Sequence, residues 1–475
     1  MKVLIINTNR HTLPVPVMPV GACMVADAAA HAGHEVSFLD LAFEKDPLSA
    51  LAQELRRSSP DVVGLSIRNI DNNDMHNPVC FIKGLRSLII TIRDMTKARI
   101  VLGGAAVSVM PDEIMRYTGV HLAVIGDGKV VFPKLLSALD TPSELYRLPG
   151  IAWIEKSRFR KNPRLSPFPS ESCSAPDFHR WIKIKNYISH LATVPLQTKL
   201  GCQFNCIYCT YNKIEGSSYR LFSPESVVDA VRKFVSLGFR DIEFVDNVFN
   251  APYTHALSVC EALSRSRHRM RLQSLELNPL FIDDALITGL ERAGFTGAGI
   301  TVESASDTVL AGLGKNFTTQ HVYHAAEVMR RHRLPCLWIF MLGGPGETAA
   351  TVRETIRFAE TAIRPQDSAF FNIGIRIYPG TDLESLARKQ GLLSLSPLDM
   401  LESVFYTSPD VPYHQIVTQV QHSMNTHMNF ICSDSIGMPL LSSLHRWGYR
   451  LGIRPPLWRY TPLIRRGLRS MGMRV

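Results

Sequence analysis

Three of the nine cysteines in this 475-residue chain fall within a single short stretch. Leu200-Gly-Cys-Gln-Phe-Asn-Cys-Ile-Tyr-Cys-Thr-Tyr211 sets Cys202, Cys206 and Cys209 in a C-x3-C-x2-C spacing. At this cysteine frequency one given triple spacing is expected by chance roughly 0.003 times, so the pattern is read as chemistry. Three thiolates so placed can hold three irons of a cubane cluster, which normally takes four cysteines. The fourth iron has no ligand from the motif, and an open iron can bind a substrate. The competing reading is a zinc site, which wants a fourth ligand at short spacing. None follows; the nearest histidines are His190 and His255.

A cluster loop needs a strand to deliver it, and Val194–Lys199 reads as that strand. Further strands are expected at Asp241–Val245, Leu272–Leu277, Gly297–Val302, Cys336–Leu342 and Phe370–Ile377, with helices between them. Ser223-Pro-Glu225 is a helix start with an N-cap and proline at N1. Six βα units over about 200 residues suit an incomplete parallel barrel spanning 194–390. Reactive groups belong at the carboxyl ends of such strands. Those ends carry Asp246-Asn247, Glu276-Leu-Asn278, Glu303-Ser304, Gly343-Gly-Pro-Gly-Glu-Thr348 and Arg376-Ile-Tyr-Pro-Gly-Thr381. Helix capping before Pro252 is the alternative use of Asp246 and Asn247.

Residues 1–140 alternate short apolar runs with helical patterns, which predicts a doubly wound parallel sheet with helices on both faces. Its strands are expected at Lys2–Asn7, Glu35–Leu39, Asp61–Ile67, Ile100–Leu102 and Leu122–Ile125, and a helix at Pro78–Arg93. Ligands of such sheets sit at the carboxyl ends of strands. There lie Ser66-Ile-Arg-Asn-Ile-Asp-Asn-Asn73, Gly103-Gly104 and Gly126-Asp-Gly128, whose glycines let backbone approach a large ligand. Residues 141–193 form a connector: a hairpin near 148–159, a Pro- and Ser-rich loop over 162–177, and a segment 178–189 lying across the domain junction.

Composition bounds the rest. Hydrophobic content of 45% and charge of 20% describe a globular chain with real cores. No apolar run reaches the length of a spanning helix, the N-terminal apolar run is too short for a signal peptide, and the scattered other cysteines fit a reducing cytoplasm. The net charge is +10, and residues 439–475 hold eight arginines and no acid, leaving about +2 for the body (10 − 8). Nucleic-acid binding by the whole protein is therefore not indicated. Residues 391–475 read as a variable helical basic region. Its arginines interleave with Trp447, Tyr449, Trp458 and Tyr460, which suggests a peripheral membrane or carrier-protein contact, against a basic helix packed on the barrel.

The cysteine spacing, with Tyr208 just before the last cysteine, resembles the signature of radical S-adenosylmethionine (SAM) enzymes. Gly-Gly-Pro-Gly-Glu-Thr, Tyr-Pro-Gly-Thr and the turn Gly314-Lys-Asn-Phe-Thr318 resemble loops of the cobalamin-type branch. The glycine pairs of the first domain, in this order before the cysteines, are similar to a cobalamin-binding domain. The resemblance covers nearly all of 1–390 and names a family: radical SAM enzymes with a cobalamin-binding domain, of the class B methyltransferase type. It implies a (β/α)6 partial barrel holding a 4Fe-4S cluster, with the open iron chelating SAM. One electron would cleave SAM to methionine and a 5′-deoxyadenosyl radical.

On that resemblance SAM is expected at Tyr208, Asp246, Asn247, Glu303, Ser304, Gly343, Gly344, Gly346 and Arg376. Cobalamin is expected at Arg68, Asn69, Asp71, Gly103, Gly104, Gly126, Asp127 and Gly128. The first-strand loop holds His11 but no D-x-H-x-x-G motif, so cobalamin would sit base-off without a histidine from it. The function implied is C-methylation of an unactivated carbon of a small-molecule or lipid-like substrate, with a flavodoxin- or ferredoxin-type electron donor. Radical cyclisation, rearrangement or oxidation without methyl transfer is the alternative, and a non-catalytic iron–sulfur or cobalamin sensor a remote one. A methylthiotransferase would carry three further cluster cysteines in the first domain, where only Cys23 and Cys80 stand.

Overall fold

The computed structural model describes residues 1–164, 173–433 and 441–470. Half of the Pro- and Ser-rich loop expected over 162–177 (residues 165–172), the first residues of a helix expected from Pro439, and Arg474 lie outside the described residues.

The first sheet is built from β1 (Lys2–Asn7), β2 (Glu35–Asp40), β3 (Val62–Ser66), β4 (Arg99–Gly103) and β5 (Leu122–Val124). They run parallel in the order β2-β1-β3-β4-β5, and the antiparallel hairpin β6 (Ile151–Glu155) and β7 (Arg158–Lys161) extends the far edge. Around it pack α1 (Val20–His31), α2 (Pro47–Ser58), α3 (Leu85–Met95), α4 (Ala105–Val109), α5 (Pro111–Thr118), α6 (Gly128–Ala138) and α7 (Pro142–Leu145). Strand β1 is apolar almost throughout because it is covered on both faces. Val3 and Ile5 enter the core with α1 and α6, while Leu4 and Ile6 enter the opposite core with α2 and α3. Asp46 starts α2 by accepting from the backbone N–H groups of Leu48 and Ser49, with Pro47 at N1.

One expected helix is shorter than the pattern predicts. Residues 78–84 do not join α3. Phe81 N–H donates to Ile70 O at 2.8 Å, and Asp71 forms a β-bridge with Cys80. The apolar residues there, Phe81 and Ile82 among them, imitate a first helical turn but pack under the loop instead.

The connector carries α8 (Phe178–Trp181) and α9 (Ile184–Ile188). Trp181 Nε1 donates to Asp27 at 2.7 Å and Tyr187 Oη to Asp40 at 2.8 Å, both on the first domain. Phe178 packs on Phe234 and Phe239 of the barrel's helical layer.

The second sheet begins with β8 (Val194–Leu196). A short hairpin, β9 (Lys199–Leu200) and β10 (Arg220–Leu221), then holds the cysteine loop and α10 (Tyr211–Glu215) between its strands. After α11 (Pro224–Ser236) come β11 (Asp241–Phe244), α12 (Tyr253–Arg265), β12 (Arg271–Leu277), α13 (Asp284–Ala293), β13 (Phe295–Glu303), α14 (Asp307–Gly312), α15 (Thr319–Arg331), β14 (Cys336–Leu342), α16 (Ala349–Ala362) and β15 (Ser368–Ile373). A small hairpin of β16 (Ile375–Arg376) and β17 (Phe405–Tyr406) encloses α17 (Asp382–Lys389). The chain ends with α18 (Tyr413–Thr426), β18 (Phe430–Cys432), α19 (Leu441–Arg450) and α20 (Thr461–Ser470).

The parallel order is β18-β15-β14-β13-β12-β11-β8. The six expected strands are present, and β18 adds a seventh beside β15. The last region is therefore not helical throughout; it completes the sheet. Its apolar run Phe430–Cys432 is too short to stand out from the helix before it.

Alternation along these strands separates a helix-facing side from an interior side. Ile242, Phe244, Leu272, Cys336, Trp338, Phe340, Ala369 and Phe371 join the core under the helices. Glu243, Gln273, Thr301, Ile339 and Phe370 occupy the alternate positions, facing inward. The amino end of this interior is closed by the C-terminal segment. A Cβ on Gly297 would lie 2.7 Å from Pro456 and 2.9 Å from Trp458. Ser368 Oγ donates to Trp458 O at 3.1 Å, and Arg459 reaches Thr296 O at 3.4 Å.

Two apolar seams join the sheets. One runs from β1 through Phe178, Trp181 and Tyr187 into the barrel helices. The other runs from β3 through Ile70 and Ile82 to Ile375, Ile377 and Tyr406.

Candidate active site

The carboxyl ends of the two sheets face each other across these seams. The loop after β3 leaves at Ile67 and descends onto the barrel through Asp71, Asn73 and Met75. Arg376 Nε donates to Asp71 Oδ2 at 2.6 Å, and both side chains are almost wholly buried. Arg376 also donates to Ile377 O and Met400 O, each at 2.6 Å. Tyr378 Oη donates to Asn73 at 3.0 Å, and Met75 fills the space beside Gly374.

The cysteine loop is shaped by its own backbone. Cys202 N–H donates to Gly216 O at 3.2 Å and Cys209 N–H to Cys206 O at 3.1 Å. Glu215, on α10, accepts from Gly201 N–H at 3.0 Å, Gln197 Nε2 at 2.7 Å and Asn247 Nδ2 at 2.8 Å. It ties the start of the loop to the end of β11. No spacing rule marks Glu215 in the sequence, which is why it is missed there.

The thiols of Cys202 and Cys209 are pushed up by burial, that of Cys209 to about 11, and neighbouring cysteines add to the effect. Buried thiols clustered without a cation favour the protonated form; a bound metal reverses that preference. Among the described residues no three His, Cys, Asp or Glu side chains converge on a single ion position. A cubane makes no such demand, since each thiolate takes a different iron.

Between the loops lies an internal cleft. Tyr211 is 47% exposed, yet burial raises its hydroxyl pKa well above the usual range. Its electrostatic neighbours are Glu276, Glu215 and Cys209 of the barrel and Arg68 of the first domain. Arg68 behaves likewise: its side chain is accessible, but burial lowers its pKa against the pull of Tyr211 and Glu243. Burial and then Glu303 raise the Glu276 carboxyl to about 8. Arg68 comes from the first domain and the others from the barrel, so the cleft is shared.

Several expected cofactor residues are already engaged. Asp246 is buried and accepts from Thr198 N–H at 2.9 Å and Lys199 N–H at 3.0 Å, with Lys199 Nζ 3.7 Å away. It fixes the strand leading into the cysteine loop rather than facing the cleft. Ser304 is fully buried, and its hydroxyl pairs with Thr355 at 3.1 Å. Arg376 and Asp71 are consumed by each other. Gly344 and Gly346 lie close against Leu313 and Thr308, so their missing side chains serve packing on α14. Gly343 N–H donates to Glu347 at 3.0 Å, inside the same loop. Asp246, Ser304, Arg376 and Asp71 looked available because they are polar residues at or after strand ends; what the sequence hides is the backbone and side chains that claim them.

The remaining expected residues come from both domains. Tyr208 and Glu303 are hydrogen-bonded to each other at 2.9 Å. Asn247 keeps a buried Oδ1 with no partner. On the first domain Asn69 adjoins Arg68. Gly103 opens on empty space. Gly104, at φ +101°, presses so near Ile67 that a Cβ would fall 2.4 Å from its carbonyl oxygen. Gly126 N–H donates to Ser108 Oγ at 2.9 Å, and Asp127 and Gly128 begin α6.

The fold and this cleft define a two-cofactor enzyme class: a corrinoid-type sheet set against a partial barrel with a three-cysteine loop. Comparison with known proteins agrees. Residues 197–359 match the Radical SAM superfamily and residues 6–136 match the B12 binding domain. The chain is 25% identical over 363 residues to an uncharacterised methyltransferase of Pyrococcus horikoshii, covering 76% of each. It is 24% identical over 451 residues to tryptophan 2-C-methyltransferase of Streptomyces laurentii, covering 82% of this chain and 74% of the relative. The radical SAM methyltransferase TsrM from Kitasatospora setae, solved with cobalamin and a 4Fe-4S cluster, superposes with a TM-score of 0.85 at 22% identity over 99% of both chains. The chain thus carries a B12 binding domain followed by a radical SAM domain, and the groups that such domains imply are a 4Fe-4S cluster, SAM and cobalamin.

The residues present fit these groups. The three cysteines supply thiolates for three irons. The accessible, positively charged Arg68 and the open face at Gly103 leave room for a large ligand over the ends of β3 and β4. The unpartnered Asn247 Oδ1 is an acceptor for a donor the protein itself does not supply.

Proposed function

We propose that the enzyme is a cobalamin-dependent C-methyltransferase acting on an unactivated carbon of a small-molecule or lipid-like substrate. The reading rests above all on one juxtaposition: Arg68, from the corrinoid-side loop, has Tyr211 and Glu243 of the barrel as its electrostatic neighbours. Tyr211 lies two residues after Cys209, so the cysteine loop and the first domain border one cavity.

When bound, the cluster and SAM supply a carbon-centred oxidant and cobalamin supplies a transferable methyl group. The chain does the rest. Cys202, Cys206 and Cys209 would hold the cluster, and Glu215 and the Lys199–Asp246 pair keep their loop and its strand in place. Arg68, Asn69 and the glycines at 103, 104, 126 and 128 would seat the corrinoid. The interior positions Glu243, Gln273, Thr301, Ile339 and Phe370 would line the substrate's space, which the C-terminal segment closes at the far end. The seams around Asp71 and Arg376 exclude water between the two cofactor surfaces.

The test is anaerobic reconstitution with iron, sulfide, cobalamin and SAM under reductant. Formation of 5′-deoxyadenosine together with S-adenosylhomocysteine supports the reading. Deoxyadenosine alone favours cyclisation or rearrangement, and neither product removes it. The electron for this chemistry is assigned to an external flavodoxin- or ferredoxin-type donor.

The tail has a proposed role of its own. Arg446, Trp447, Arg450 and Leu451 lie exposed on or beside one face of α19, with Trp447 62% and Leu451 78% exposed. On α20, Leu463, Ile464 and Arg466 are exposed. Arginine with apolar anchors and no acid suits an anionic lipid surface, which makes the enzyme cytoplasmic and peripheral to the membrane. Among the described residues no helix is long and apolar enough to cross a membrane. Co-sedimentation with phosphatidylglycerol vesicles but not with phosphatidylcholine vesicles is the expected result; equal behaviour with both rejects it.

A further inference from the structure

Behind the cysteine loop lies a buried three-residue node in which Lys315, a residue given no role above, joins the expected SAM residues Tyr208 and Glu303. Lys315 Nζ donates to Tyr208 Oη and to Glu303 Oε1, each at 2.9 Å, and Tyr208 Oη donates to the same Glu303 oxygen at 2.9 Å. The three side chains come from three places: the cysteine loop, the turn after α14 and the end of β13. Burial alone would lower the Lys315 pKa, but Glu303 and then Tyr208 hold it well above its usual value, so the lysine is charged.

The turn that carries Lys315 is moulded to the cysteine loop along its length. Ile207 N–H donates to Leu313 O at 3.1 Å. Gly314, at φ +68°, lies so close that a Cβ would stand 2.9 Å from Asn205 O. Residues 205, 207 and 208 are thus each met by 313, 314 and 315. Glu303 itself has φ +62°, a left-handed conformation that a non-glycine residue adopts only when its surroundings impose it. Lys315 and Tyr208 together hold its carboxylate there.

We infer that Lys315 is a positioning residue for the cluster: acting through Tyr208, it fixes the loop between Cys206 and Cys209 in its chelating form before any metal arrives, and it aims the Glu303 carboxylate along the cleft. The inference rests on the reading of the three cysteines as cluster ligands. A long tyrosine side chain pinned at its far end by two hydrogen bonds immobilises the backbone one residue before the third thiolate. Preorganisation of that kind lowers the ordering that ligation must otherwise impose.

The test compares full-length wild type, Lys315→Met, Lys315→Arg and the double variant Lys315→Met/Glu303→Gln. In the apoprotein, the alkylation rates of Cys202, Cys206 and Cys209 are read by mass spectrometry. After reconstitution with ferrous iron and sulfide, the rate of iron loss to a chelator and the EPR spectrum of the reduced cluster are read. Lys315→Met is expected to speed alkylation of Cys206 and Cys209 about tenfold, the factor set by one net hydrogen bond, to hasten iron loss and to change the EPR line shape. Lys315→Arg is expected to restore all three in part. The double variant removes the buried unpaired carboxylate and recovers the melting temperature, but not the thiol protection or the EPR spectrum.

Wild-type thiol protection and EPR in Lys315→Met overturn the inference. So does a double variant that regains them together with its melting temperature, because the node would then be an ion pair and nothing more. Failure of the wild type to take up a cluster sinks the ligand reading instead, while the alkylation rates still decide whether Lys315 orders the loop.

Discussion

Asp71 and Arg376 are 305 positions apart in the chain and 2.6 Å apart in the fold, each almost completely removed from water. Neither is free for a cofactor, and together they join the loop after β3 to the end of the barrel sheet. Removing one partner leaves the other charge buried, which costs about 3–5 kcal/mol. Asp71→Ala is expected to lose that much in chemical denaturation. A double-mutant cycle with Arg376→Met should give a coupling of roughly 0.5–3 kcal/mol; purely additive losses would mean that the pair does not act as one latch.

Cys206→Ala addresses the cluster directly. The variant should fold like the wild type, since the loop's backbone hydrogen bonds do not use the Cys206 side chain. It should lose the iron–sulfur absorbance and all 5′-deoxyadenosine formation. Retained deoxyadenosine would end the assignment of Cys206 as a ligand.

Gly104→Ala tests the corrinoid face. The new Cβ would meet the Ile67 carbonyl oxygen at 2.4 Å, on a backbone at φ +101°. A loss of about 1–3 kcal/mol is expected from the strain, with weakened cobalamin binding measured by corrinoid absorbance after gel filtration. Gly103→Ala, where the space is open, should cost little stability, so any effect on corrinoid retention reports contact with the ligand.

Glu276 predicts a pH signature. Its carboxyl rises from 4.5 to about 8 in the folded protein, chiefly by burial. An acid raised on folding contributes stability that is fully present below its unfolded pKa and lost as pH climbs through the folded value. Apoprotein stability should therefore fall between about pH 4.5 and pH 8. In Glu276→Gln that part of the fall should vanish, leaving the variant relatively more stable at pH 8 than at pH 5. Parallel pH profiles for the two proteins would show that the group does not titrate in this way.

Deleting residues 441–475 cannot isolate a membrane role, because Pro456 and Trp458 floor the barrel at Gly297. Arg465 also donates to Phe430 O at 2.7 Å and Met424 O at 2.9 Å, holding α18 and β18. The deletion should lower the melting temperature sharply. Trp447→Ala with Arg450→Ala, on the exposed face, should stay within about 0.5 kcal/mol of wild type while losing affinity for anionic vesicles.

The sequence made the cysteine loop legible because its information is local: one residue type, at short spacing, after an apolar strand. The two parallel sheets were legible for the same reason, in runs of alternating strand and helix patterns. Asp246, Ser304 and Arg376 show the limit. Each is a polar residue at a strand end, and the one-dimensional pattern is the same whether it faces a cofactor or a neighbour's backbone. Asp246 turned to Thr198 and Lys199, Ser304 to Thr355, and Arg376 to a residue of the other domain. The strand β18 and the helix that starts only at Leu85 were obscured by tertiary packing overriding local propensity. The turn at Gly314-Lys315 is visible as a motif, but its partners Tyr208 and Glu303 come from other loops and cannot be read from it.

The floor at Gly297 has a kinetic consequence. Pro456 and Trp458 stop the amino end of the barrel interior, so entry from that end is closed among the described residues. On the proposed function, a substrate in the interior between that floor and the cysteine loop would enter before SAM, an order that product-inhibition patterns would test.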